Sequence, residues 1–132
     1  MEAQKEATTQ ALPALGDHLA GGKFAGITTG KDGVPYALIV LGIKADKRMS
    51  WPDAMAFAAS HDADLPSRVD GAMAFVTLPD EFEKSWHWLN EQCSPDYAWS
   101  QDFGDGYQDD DYKGNGGVVR LVRRLLINPS IL

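Results

Sequence analysis

The chain has 132 residues, enough for one domain to bury a core, and Cys93 is its only cysteine, so no internal disulfide can form. Its formal net charge of −7 argues against tracking the phosphates of a nucleic acid and against an anionic membrane surface. What that charge leaves is attraction to a basic partner, beside the plainer reading that acidity keeps a protein in solution.

The opening MEAQKEATTQ is polar, with two Glu and no apolar stretch behind it, so no secretory signal is read. The longest apolar run, Tyr36 to Leu41, is far too short to span a bilayer. Residues 1–22 read as a partly flexible N-terminal arm, with 1–10 expected to be mobile. Residues 23–132 read as one domain.

That domain starts with KFAGITT (23–29) and VPYALIVL (34–41), two strands joined by GKDG, whose Asp32-Gly33 is a hairpin-turn signal. The second strand is apolar on both faces, which predicts a place inside the sheet. Ser50, Pro52 and Asp53 mark a helix start, and Trp51, Ala54, Met55, Ala58 and Ala59 recur at helical spacing. After DADLPSR a second helix is predicted over 69–78, stopped by Pro79. There Ser67 should cap, and Arg68 should brace a carbonyl or carboxylate inside the fold. Three further strands are predicted: Trp86 to Leu89, Tyr97 to Phe103, and Val118 to Ile127. Trp86 and Trp88 share one face of their strand and are expected in the core, with His87 on the other. A hairpin, two helices and then several strands make an α+β domain.

The densest charge lies in DFGDGYQDDDYKGNGG (102–117), which holds five Asp, five Gly and two Tyr. It predicts a loop open to three readings. The first is a recognition surface, since Tyr and Trp supply rigid amphipathic area and Asp, Gln and Gly adaptable hydrogen bonding. The second is a solvated connection whose Asp residues balance Arg120, Arg123 and Arg124. The third and least favoured is calcium held by Asp105, Asp109 and Asp111; the spacing is not that of an EF-hand. His18, His61 and His87 are scattered and form no zinc pattern, and no nucleophile elbow occurs. Cys93 reads as ordinary structural filling.

Four stretches, FAGITTGKDG (24–33), WPDAMAFAASHDADLPSR (51–68), WHWLNEQ with YAWSQDFGDGYQ (86–108), and VVRLVRRL (118–125), occur in that order. Together they resemble the Lcl C-terminal domain family of bacterial and phage genomes. The carrying positions are Trp51, Ala54, Ala58, Leu65 to Arg68, Trp86, Trp88, Ala98-Trp99, Phe103, Gly106, Gln108 and Arg120 to Leu125. The resemblance implies a C-type-lectin-like fold, two helices on short twisted antiparallel sheets with an irregular loop region. It also implies a phage or prophage origin, and hence the cytoplasm of a bacterial host or a virion. The formylglycine-generating enzymes on that scaffold use a cysteine pair, which one cysteine cannot supply, so no catalytic residue is assigned. The expectation is a non-catalytic binding module, with no cofactor, for a protein or glycan partner. Its contact residues are expected to be Trp99, Gln101, Asp102, Asp105, Tyr107, Gln108, Asp109, Asp110 and Tyr112. A calcium-dependent carbohydrate binder, or an acidic inhibitor of a host nucleic-acid-handling or defence protein, is the alternative. The oligomeric state stays open.

Overall fold

The hydrophobic pattern of the third strand decides the architecture. In the computed structural model, which describes residues 11–131, β3 (Pro35–Lys44) lies between β2 (Gly22–Thr29) and β7 (Arg120–Leu126). Residues 1–10, expected to be mobile, lie outside the described residues. The short β1 (His18–Leu19) completes a four-stranded antiparallel sheet in the order β1-β2-β3-β7. Leu19 is buried there, so the end of the arm belongs to the fold. A second antiparallel sheet has β4 (Trp86–Gln92), β5 (Tyr97–Asp102) and β6 (Gln108–Tyr112), in that order. The class is α+β.

β3 is apolar on both faces because each face is covered. Ala37, Ile39 and Leu41 join a cluster with Ala54 and Ala58 of α1 (Trp51–Ser60), Trp88 and Leu121. Leu38 and Val40 join another with Ala74 of α2 (Arg68–Thr77), Phe82, Phe103 and Val122. The helices start where the caps place them. Ser50 accepts from the Asp53 N–H, and Ser67 and Asp70 exchange bonds in a capping box. Leu78 caps α2, and Pro79 begins a 3-10 turn. Gly33 turns the β2–β3 hairpin at φ 78°, where a side chain would be strained.

The three carboxyl-terminal arginines are committed to the fold. Arg124 donates from Nη1 to Asp64 Oδ2 at 2.8 Å, from Nε to Asp70 Oδ2 at 2.8 Å and from Nη2 to the Leu65 carbonyl at 3.2 Å. A further short bond joins Nη2 to Asp70. Burial opposes the charge, but Asp70 and Asp64 together outweigh it and hold the guanidinium pKa above its ordinary value. Arg120 bonds the Leu41 carbonyl and the backbone and carboxylate of Glu81, and Arg123 reaches the Asp62 carbonyl. None of the three pairs with the acidic segment, so its Asp residues do not balance these arginines. Nor does Arg68 brace the interior; Arg124 does.

Candidate functional site

The acidic segment is not one loop. A tight turn, residues 103–107, leads into β6, which pairs with β5 in the register Tyr97↔Tyr112, Trp99↔Asp110 and Gln101↔Gln108. Asp is a poor strand former, so neighbours must impose this state. Phe103 is the anchor: fully buried, it stacks on Phe82 with centroids 4.0 Å apart. Asp102 Oδ1 accepts from the Gly104 N–H at 2.8 Å, and Asp105 Oδ1 from the Tyr107 N–H at 2.9 Å. Gly106, at φ 85°, passes so near Phe75 that an added Cβ would lie 2.8 Å from its ring.

β6 is an edge strand, and its aspartates finish the edge. The bonds from Asp102 N–H to the Tyr107 carbonyl and from Lys113 N–H to the Asp96 carbonyl set the ladder. By antiparallel alternation, Asp109 and Asp111 bond to β5 through their backbone, while Asp110 and Tyr112 turn their N–H groups outward. Each outward N–H meets the preceding carboxylate: Asp110 donates to Asp109 Oδ1 at 2.9 Å, and Tyr112 to Asp111 Oδ1 at 2.8 Å. Such an edge offers a partner strand few free donors.

The expected contact residues divide into two groups. Tyr107 and Tyr112 are exposed, at 60% and 51%, and each ring stands edge-on to a second exposed aromatic, Trp86 and Tyr97 respectively, at 6.2 Å. Asp105, Asp109 and Asp110 are exposed, and Asp102 is half-buried. Trp99 is half-buried, with the Arg68 guanidinium 3.6 Å over its ring. Gln108 lies beside it, accepting from Arg68 Nε and donating from Nε2 to the Arg68 carbonyl and to Gln101 Oε1. Gln101 is a correction: it is fully buried, donating to the Gly71 carbonyl at 2.8 Å, so it ties β5 to α2 and touches no partner. Trp86 is the opposite correction. Placed at the open end of β4, it is exposed, whereas Trp88 is buried with its indole N–H on the Met49 carbonyl. His87 is buried too, edge-on to the stacked pair of Phe82 and Phe103. Its Nδ1 lies 2.9 Å from the Ser85 carbonyl, so Nδ1 carries the proton, and burial lowers its pKa to about 4.

Among the described residues, Asp102, Asp105, Asp109, Asp110 and Asp111 form no ion pair with a cation. Nor do any three or more His, Cys, Asp or Glu side chains gather there in a way that could hold a metal ion, so Asp105, Asp109 and Asp111 do not converge. The nearby Lys113 is turned away, onto Gln92, the Pro95 carbonyl and the Trp51 ring. Cys93 is exposed, with its thiol 3.9 Å from Asp110 Oδ2. No helix of the described residues is long and apolar enough to cross a membrane.

Around Arg68 the sheet adjoins an open groove of about 1320 Å³ between the β2–β3 hairpin tip and α2. Its walls include Tyr36, Arg68, Val69, Met73, Val76 and Gln108. No motif marks it; the one signal in the sequence is a second apolar stripe, Val69, Ala72, Met73 and Val76, on α2. No protein-family model matches the chain, and no curated protein matches it.

Proposed function

We propose that the chain is a non-catalytic binding module that recognises a basic surface on a protein partner through its acidic, aromatic sheet edge. In this reading it is a C-type-lectin-like domain related to the Lcl C-terminal family and of phage or prophage origin. The order of its four sequence stretches supports that, as does an arrangement of two helices and two short antiparallel sheets. The observation that carries the functional reading is the set of five carboxylates that pair with no cation among the described residues, beside four exposed aromatic rings. Exposed charges of one sign draw oppositely charged partners within a Debye length of about 8 Å, and exposed Tyr and Trp provide the apolar contact once docked. A host factor that handles nucleic acid carries such a basic patch, and the aspartates would occupy it.

The test is capture from host extract on immobilised protein, with two variants. Asp109→Asn with Asp110→Asn and Asp111→Asn removes charge but keeps the oxygens that cap the edge. Tyr107→Ala with Tyr112→Ala removes the rings. A specific partner held by the wild type, released by salt and lost from both folded variants supports the proposal. A partner retained by both variants refutes it.

A further inference from the structure

Arg68 is exposed yet held still. Its guanidinium lies 3.6 Å over the Trp99 ring, and its Nε donates to Gln108 Oε1 at 2.9 Å. Gln108 is itself pinned, donating from Nε2 to the Arg68 carbonyl at 2.8 Å and to Gln101 Oε1 at 2.7 Å, and the buried Gln101 is tied to the Gly71 carbonyl. Fixing an arginine costs up to about 2 kcal/mol of rotamer freedom. Even so, its Nη1 and Nη2 meet no acceptor among the described residues. The groove beside it carries three charges of each sign, but the others are engaged. Arg124 grips Asp70, and Glu91 accepts from the Arg68 N–H and stands 4.0 Å from Lys31. Asp32 accepts from the Val34 N–H and the Tyr36 hydroxyl. What stays open is one prepositioned guanidinium fork, shaped for an anion with two oxygens.

The two walls of the groove differ in kind. α2 supplies an apolar one, Val69, Ala72, Met73 and Val76. The hairpin supplies an open sheet edge, since β1 pairs with β2 only at Gly22 and Lys23. Near the turn the Gly30 N–H donates to the Val34 carbonyl, so by antiparallel alternation the next pair, Thr29 and Pro35, is not hydrogen-bonded. Thr29, which lines the groove, therefore turns its N–H and carbonyl away from β3. We propose that the groove binds the carboxyl-terminal end of a peptide, extended along the edge of β2, with apolar side chains on α2 and its terminal carboxylate on the Arg68 Nη fork. The cation selects a carboxylate, and its place at one end of the apolar wall selects a terminal one. The outward backbone of Thr29 selects a peptide, whose main chain can bond to it as a hydrocarbon tail cannot. Size agrees. From Arg68 to Val76 the helix rises about 12 Å, the span of three to four extended residues. The groove's volume of about 1320 Å³ exceeds the roughly 300–1000 Å³ of small-molecule pockets.

Fluorescence polarisation with a labelled hexapeptide ending in Leu-Val-Leu, its carboxyl terminus either free or amidated, tests this. The free acid should bind reversibly, and the amide about tenfold or more weaker. Arg68→Gln should bring the acid down to the amide's affinity and leave the amide unchanged, a shift that a merely structural role would not produce. Val76→Lys should weaken both peptides while melting stays within about 2 °C of wild type, because that side chain is 77% exposed. A free acid that does not bind overturns the proposal. So does an amide that binds as well as the acid, or an Arg68→Gln protein that still prefers the acid. Octanoate displacing the peptide at the peptide's own concentration would also overturn it, by putting a small amphiphile in the groove instead.

Discussion

Replacing Arg124 by Met would leave Asp70 buried, at 2% exposure, without its cation. Breaking one side of a buried pair costs about 3–5 kcal/mol, because the remaining charge cannot return to water. The lower end applies here, since the Ser67 N–H still donates to Asp70 Oδ2 at 2.9 Å. For 132 residues at about 2.1 cal/mol/K each, the unfolding entropy is about 0.28 kcal/mol/K. A loss of about 3 kcal/mol therefore lowers the melting midpoint by about 11 °C. Calorimetry at neutral pH measures it. Adding Asp70→Asn should restore part of the loss by removing the orphaned charge. Lys84→Met is the control: its 3.9 Å pair with Asp80 is exposed, so the variant should stay within about 1 kcal/mol of wild type. An Arg124→Met protein that melts within about 2 °C of wild type would refute the reasoning, and so would a double variant no better than the single.

His87 makes stability depend on pH. The unfolded chain takes up its proton below pH about 6.5, while the folded imidazole resists until about 4, so stability is complete above that window and falls as pH descends through it. At about 1.36 kcal/mol per unit the loss is about 3 kcal/mol, and urea titrations of His87→Gln should lack that component. Gly106→Ala should destabilise by about 1–3 kcal/mol, through its left-handed backbone and the clash with Phe75, read as a shifted urea midpoint. Tyr107→Ala with Tyr112→Ala should melt within about 2 °C of wild type, because both rings are exposed. Calcium, tested against chelator, should leave the midpoint unmoved; a rise would reveal a site specific to the folded state.

The local punctuation of the fold was legible. The Asp32-Gly33 turn, the Ser50 and Ser67 caps, the Pro79 stop and the inner position of β3 all follow from short-range rules, and the structure has each of them. What escaped depends on distant partners. Arg124 lies 60 residues from Asp64 and 54 from Asp70, so nothing near it in the chain marks the pairing. The strand state of Asp109 to Asp111 is imposed by β5 against their own propensity. Alternation placed Trp86 and Trp88 on one face, but it does not say where a sheet ends, and Trp86 stands at that end. Of the expected contact residues, the sequence named the exposed tyrosines and aspartates, while Gln101 carries no local mark of its bond to α2.

The self-capped edge also decides which positions can change cheaply. Asp109 and Asp111 are tied to the main chain, so altering their oxygens exposes amides that invite strand-to-strand stacking. Asp110 and Tyr112 project alternately with them and hold no backbone group, so their side chains can be rewritten while the strand stays put. The result is an alphabet with every other letter free: a lineage could change the chemistry this edge shows to solvent by drifting at those two places alone, without relearning how to fold.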